Sequence, residues 1–290
     1  MSPIKQSLIM LHIAILLLGG NALFAKLIPL SALDISIYRA VLGCLTLFLV
    51  LIISGARIRL FKLRDYFICA ILGALLGAHW VTYFQSMQLS TVAIGVITVF
   101  TYPVMTVILE PLFDKSLPHL RDIAIGAFML LGVYLMVPPL NADNDISTGV
   151  LLGLLSALLF AFRNLLHKRH LSHYSGQHAM TYQIAFAALT LCWFIDVTPS
   201  HLSHYSLAML LLAGVVFTAA PHALFAGAFT HLKAKSIALI SCLVPLYGTL
   251  LALIILQEVP SWRTLIGGTI VTSAAVFETL QTQKGKTESC

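Results

Sequence analysis

Apolar residues in this chain come in long unbroken runs and do not alternate. Ten such runs lie at about 7–27, 33–54, 66–86, 92–113, 121–138, 148–166, 179–197, 206–229, 236–256 and 262–281. Each is roughly 18 residues or longer, which lets a helix cross the hydrocarbon core of a bilayer. Strands of a membrane barrel would instead alternate in segments of about ten residues. The pattern therefore predicts an all-α integral membrane protein with ten transmembrane helices. The last run is the weakest, because Thr and Glu interrupt it. A second run follows the first within about six residues, so the first is expected to remain as a span and not to act as a cleaved signal.

One run breaks the apolar rule. The stretch "GAHWVTYFQSM", Gly77 to Met87, places His79, Trp80, Tyr83, Gln85 and Ser86 within eight residues. Lipid offers such groups no hydrogen bond, so they are expected to face the bundle interior or water. His79, Tyr83 and Ser86 are spaced to share one helical face, and Trp80 stands about 100° around from His79.

The chain also repeats. Pro103, Arg121 and Gly126 have counterparts in Pro245, Arg263 and Gly268, each 142 positions on, and Lys26 and Lys168 keep the same displacement. Pro118 and Pro260 do as well. With a two-residue gap, Tyr38 falls on Tyr182 and Arg39 on Gln183. Two halves, 1–140 and 141–290, each with five spans, must enter the membrane in opposite directions because five is odd. Inverted repeats place a substrate site at their interface near the midplane and allow alternating access. A scaffold or a membrane enzyme has no need of that arrangement.

Composition agrees with the pattern. The chain is 59% hydrophobic and 10% charged, with mean hydropathy +0.95, against about a quarter charged for soluble domains. The net charge of +6 reports topology. Thirteen of the 17 Lys and Arg, among them Arg57, Arg64, Lys168, Arg169, Lys233, Lys235, Lys284 and Lys286, fall in loops on one side. The opposite loops hold Arg263 beside Asp143, Asp145, Asp196 and Glu258. Lys- and Arg-rich short loops stay cytoplasmic, so both termini are expected in the cytoplasm of a bacterial cell, with the protein in its inner membrane. No basic patch with exposed aromatics points to nucleic acid. The five cysteines form no CxxC pair and read as packing residues.

The segments "LGGNALFAK" (18–26) and Gln257-Glu258-Val259-Pro260-Ser261-Trp262 with Gly267–Gly268, on a duplicated five-span unit, resemble the EamA branch of the drug/metabolite transporter superfamily. That family often has Gly where this chain has Gln257. The resemblance implies ten helices, cytoplasmic termini, a central cavity and movement of small polar metabolites, often outward. It does not identify the substrate, and it leaves room for a homodimer.

Candidate site residues follow from charge and depth. Arg39 lies about six residues into the second span; it either snorkels or serves as a fixed cation for a carboxylate or phosphate. His79 and His222 come from equivalent regions of the two halves and are expected to face one cavity. Trp80, Tyr83 and Tyr247 would shape it, and Pro103, Pro221 and Pro245 are candidate hinges. Lys26 reads as snorkelling and Asp34 as loop. Arg163 and Asn164 read as part of the basic cluster that includes His167, Lys168 and Arg169.

No acid occurs in the first span, and Glu110 and Glu278 lie near predicted cytoplasmic ends. The in-span balance favours a substrate with at least one negative group, such as an amino acid; a nucleotide-derived metabolite such as an S-adenosyl compound is the runner-up. A metal transporter built on His167, His170 and His173 lacks a carboxylate partner. Catalytic motifs and a phosphate-binding loop are absent, so no cofactor, no enzyme activity and no ATP drive are expected. Topology reporters test the orientation: a fluorescent protein fused to the C-terminus should fluoresce and alkaline phosphatase there should be inactive.

Overall fold

The computed structural model describes residues 3–288 apart from 56–57, 114, 116, 118, 137–144, 223, 225–231, 233–236 and 238–239, and side chains apart also from 112, 278, 279 and 281–288. Arg57, Pro118, Asp143, Lys233, Lys235, the expected boundary between 140 and 141, and the side chains of Glu278, Lys284 and Lys286 lie outside the described residues.

All regular structure among the described residues is helical. In chain order the first half gives α1 (Pro3–Asn21), α2 (Phe24–Leu27), α3 (Ala32–Ile53), α4 (Leu63–Leu89), α5 (Val92–Val99), α6 (Tyr102–Phe113) and α7 (Leu120–Met136). The second gives α8 (Asp145–His170), α9 (Gly176–Leu191), α10 (His204–Leu211), α11 (Val244–Leu251) and α12 (Trp262–Glu288). α10 continues as a π-helix, Leu212–Ala219, and α11 as a second, Ala252–Leu256. Among the described residues, six segments are long and apolar enough to cross a membrane: Pro3–Leu27, Ala32–Ile53, Leu63–Leu89, Val92–Pro111, Asp145–His170 and His204–His222. The stretch Val244–Leu256 is apolar but shorter.

The helix starts carry the duplication. α8, α11 and α12 begin 142 residues after α1, α6 and α7 (145 − 3, 244 − 102, 262 − 120). α9 begins 144 after α3, which is the two-residue gap. Turns at Phe100–Thr101 and Cys242–Leu243 break both halves at the same place.

Inversion is visible in what ties α3 to α9. At the start of α3, the Asp34 carboxylate accepts from the backbone N–H of Asp196 (3.1 Å) and Val197 (3.3 Å), and the Tyr38 hydroxyl donates to Val197 O (2.6 Å). At the start of α9, the Tyr182 hydroxyl donates to Ile58 O (2.8 Å), which also lies 2.8 Å from His178 Nε2. Each helix thus begins beside the chain that follows the other. α3 and α9 are antiparallel, so this equivalent pair of helices runs in opposite directions in the two halves. Asp34 lies in the first turn of α3 and not in a loop: Ser31 caps that turn, and the carboxylate favours the positive end of the helix dipole.

α4 sits at the centre, against α8, α9 and α3. Glycine is required where it meets α9. A Cβ at Gly73 would lie 2.5 Å from Phe186 Cβ, 2.6 Å from Gln183 O and 2.8 Å from Ala187 N, two of them backbone atoms that cannot yield. The α7–α12 contact has the same character: a Cβ at Gly267 would stand 2.3 Å from Gly132 O.

Of the candidate hinges, two open a helix and one lies inside the span His204–His222, while Pro111 lies within α6. Pro103 and Pro245 are the second residues of α6 and α11, where a missing N–H has no intrahelical partner to lose. Pro221 follows the π-helix 212–219, whose wider turn relieves the crowding a proline ring imposes on the carbonyl four residues back.

Overpacking at a helix crossing costs about 1–3 kcal/mol. Gly73→Val should therefore lower the melting temperature of the purified protein in detergent. Gly176→Ala, where an added Cβ meets nothing within 4 Å, should leave it unchanged.

Candidate functional site

The polar run on α4 divides between two neighbours. Trp80 and Phe84, four residues apart and so on one face, turn to α3. There the Arg39 guanidinium carbon lies 4.1 Å from the Trp80 ring centroid and 4.6 Å from that of Phe84. Arg39 is fully buried, and among the described residues none of its three guanidinium nitrogens has a hydrogen-bond acceptor. It does not snorkel. A desolvated cation–π contact contributes about 2 kcal/mol, while each buried donor group left unmade costs about 1–3 kcal/mol, more for a charged group. Two aromatic faces hold the cation in place but do not replace the acceptors it lacks.

His79 and Tyr83 turn the other way, to α8. His79 Nδ1 lies 2.8 Å from Ser156 Oγ and 3.0 Å from Ser156 O, and the serine hydroxyl also reaches His79 O at 2.8 Å. The imidazole stacks on Phe160 (centroids 4.6 Å, 21°) and lies nearly parallel to Tyr83 at 6.0 Å. Tyr102, next to Pro103, meets Phe160 edge-on at 4.8 Å. Further along α4, Ser86 Oγ donates to Gly149 O at 2.6 Å. The chemistry of "GAHWVTYFQSM" is thus spent between helices: a hydroxyl and a ring toward α8, two aromatic faces toward a bare cation on α3.

A second guanidinium belongs to this region, one that sequence reasoning placed with the surface basic cluster. Arg163 on α8 is half-buried and donates through Nε to Gln183 Oε1 at 2.7 Å and through Nη1 to Asn164 Oδ1 at 2.9 Å. Its Nη2 lies 3.1 Å from Met180 Sδ. All three partners are neutral. Gln183 also reaches His167 Nδ1 at 3.1 Å. His222 is half-buried just past the π-helix. Of the expected site residues, direct contact joins Arg39 with Trp80 and His79 with Tyr83. The missed signal was available: Gln183 aligns with Arg39, so a cation–amide pair across α8 and α9 was foreshadowed by the repeat.

Tyr247 is placed elsewhere. It packs on α1, beside Gly19, and its hydroxyl lies 3.2 Å from His12 Nδ1. Lys26 donates to Gln88 O and Ser90 O, 3.2 and 3.0 Å away. Glu110 pairs with Lys168. His170 meets Arg64 at 3.4 Å, and His173 lies 3.8 Å from the Asp65 carboxylate. Glu258, in the segment shared with the resembling family, accepts the N–H of Val92 at 2.9 Å and so caps α5 of the opposite half.

Comparison with known proteins adds three findings. The family model described as "EamA-like transporter family" matches residues 5–137 and again 147–279. No curated protein matches the sequence. A solved crystal structure superimposes with a TM-score of 0.63 at 16% identity, covering 97% of this chain and 98% of its own, a likeness that shows the fold alone.

The His79–Ser156 pair yields a stability test. Ser156→Ala removes a buried hydroxyl that bonds both the ring and the backbone of His79, a loss of about 1–2 kcal/mol. Ser147→Ala removes a buried hydroxyl that has no partner and should be neutral or slightly stabilising. Melting of the two variants side by side checks the difference.

Proposed function

The chain belongs to the EamA-like transporter family, and from that premise we propose a ten-helix secondary transporter of two inverted five-helix halves that exports amino acids or related small polar metabolites by alternating access. It is a multi-pass membrane protein. We place it in a bacterial cytoplasmic membrane with both termini inside, on the positive-charge asymmetry of its loops.

One observation supports the substrate assignment above the others: the buried, acceptor-free guanidinium of Arg39. An in-membrane cation without a counter-ion marks a ligand path more often than a structural pair. A carboxylate offers two oxygens to the guanidinium fork and restores the missing hydrogen bonds in one step. His79 and His222 supply polar contacts beside it, and Trp80 and Tyr83 shape the space. The stack of His79, Phe160 and Tyr102 would suit a flat base equally, which keeps an S-adenosyl-type metabolite as the second reading.

Alternating access requires ties that break on one face while they hold on the other. The basic face has Glu110–Lys168, Arg169 to Phe113 O, and Asp65 with Tyr174 and His173. The opposite face has Asp34 and Tyr38 with 196–197, and Glu258 with Val92. All of these join one half to the other. They are hydrogen bonds and ion pairs, each worth about 1–3 kcal/mol, small enough to exchange during a transport cycle.

Efflux assays in proteoliposomes over an amino acid and nucleotide panel test the proposal. Arg39→Ala should retain a monodisperse fold and weaken transport of carboxylate substrates about 10- to 100-fold, the value of a lost charge-assisted hydrogen bond. Unchanged transport would remove Arg39 from the site.

A further inference from the structure

The 142-residue displacement pairs Arg163 with Asn21, just as the gapped alignment pairs Gln183 with Arg39. Each half therefore has one guanidinium and one carboxamide at equivalent positions, with the roles exchanged: amide on α1 and cation on α3, cation on α8 and amide on α9. In the second half the pair is closed, Arg163 Nε to Gln183 Oε1 at 2.7 Å. In the first half it is open: among the described residues, Asn21 Oδ1 and every guanidinium nitrogen of Arg39 are buried without a partner.

The backbone shows the same asymmetry. α8 is continuous through Arg163, whereas α1 ends at Asn21, and turn residues Ala22 and Leu23 separate it from α2. That break is held by bonds of the three-residue type, Ala22 N–H to Gly19 O and Leu23 N–H to Gly20 O.

We propose that the two cation–amide pairs are reciprocal clasps, and that in the opposite access state Asn21 closes on Arg39 while Gln183 releases Arg163. The inference rests on the transporter reading above. Alternating access moves one repeat against the other, and on this proposal the opposite state is the present one with the conformations of the two related halves exchanged; the half that now holds an open pair then holds a closed one. The unclasped guanidinium is the one offered to the substrate anion: Arg39 in the state described, Arg163 in the other. Asn21, Arg163 and Gln183 become positioning residues that decide which cation is available. A neutral amide suits this role, because it satisfies the guanidinium without competing strongly with a carboxylate.

The test uses the full-length protein in nanodiscs. Gln183→Glu converts the closed clasp into an ion pair and holds the present state; Asn21→Asp does the same for the opposite state. Hydrogen–deuterium exchange is read in peptides from the two faces, around 58–63 and 195–200. The two variants are expected to shift protection of the two faces in opposite senses, by about twofold or more in exchange rate, with flux about tenfold lower in both. The double variant should return the balance of the faces toward wild type while flux stays low.

Should an acidic variant fail to fold, Gln183→Leu and Asn21→Leu weaken the same clasps and should give the reverse pair of signs. Shifts of the same sign in both variants, or no shift in either, would overturn the proposal. The exchange measurement needs no substrate, so its failure is distinct from a failure of Arg39 to bind one.

Discussion

A guanidinium carries five N–H donors and, in water, satisfies all of them. Moved into a bilayer, it must find acceptors, a counter-ion or aromatic faces. Among the described residues, Arg39 has only the faces of Trp80 and Phe84. That constraint organises the middle of the molecule. α4 must present two aromatic rings four residues apart toward α3, and glycines at 73 and 77 on the same helix let α9 come close enough to enclose the site. Arg39 is held in place by those faces, and no acceptor among the described residues reaches its three guanidinium nitrogens.

The duplication supplies a symmetric frame on which asymmetric chemistry is placed. Helix starts, the turns at Phe100–Thr101 and Cys242–Leu243, and the prolines after them repeat closely. The latches from α3 and α9 repeat in position but use different groups, a carboxylate with Tyr38 on one side and an imidazole with Tyr182 on the other. Near the centre the residues diverge further: cation and amide exchange places between halves. A frame that can exchange the conformations of its halves has only to differ in side chains to favour one direction or one substrate.

Most of the fold was legible because bilayer helices are specified by runs, and runs survive inspection of a single sequence. The repeat was legible through prolines, which occupy the one place in a helix where their missing N–H is harmless. His79 and Arg39 stood out as polar groups at apolar depth. Arg163 did not, because Lys168 and Arg169 follow within a turn or two and the cluster reads as a loop signal; only the contact with Gln183, twenty residues on, separates it. The contacts of Tyr247 were hidden for another reason. Its distance from Pro245 is fixed by sequence, but the face it shows depends on how α11 meets α1. The π-helical turns at 212–219 and 252–256 were also hidden, since in a wholly apolar segment no polar residue marks the change of period.

The most direct measurement of the central claim is a structure of the protein with a transported anion bound. Carboxylate or phosphate oxygens should lie within hydrogen-bonding distance of the Arg39 guanidinium, with Trp80 and Phe84 still against its faces. An anion seated elsewhere, with Arg39 enclosed and without an acceptor as it is here, would contradict the account.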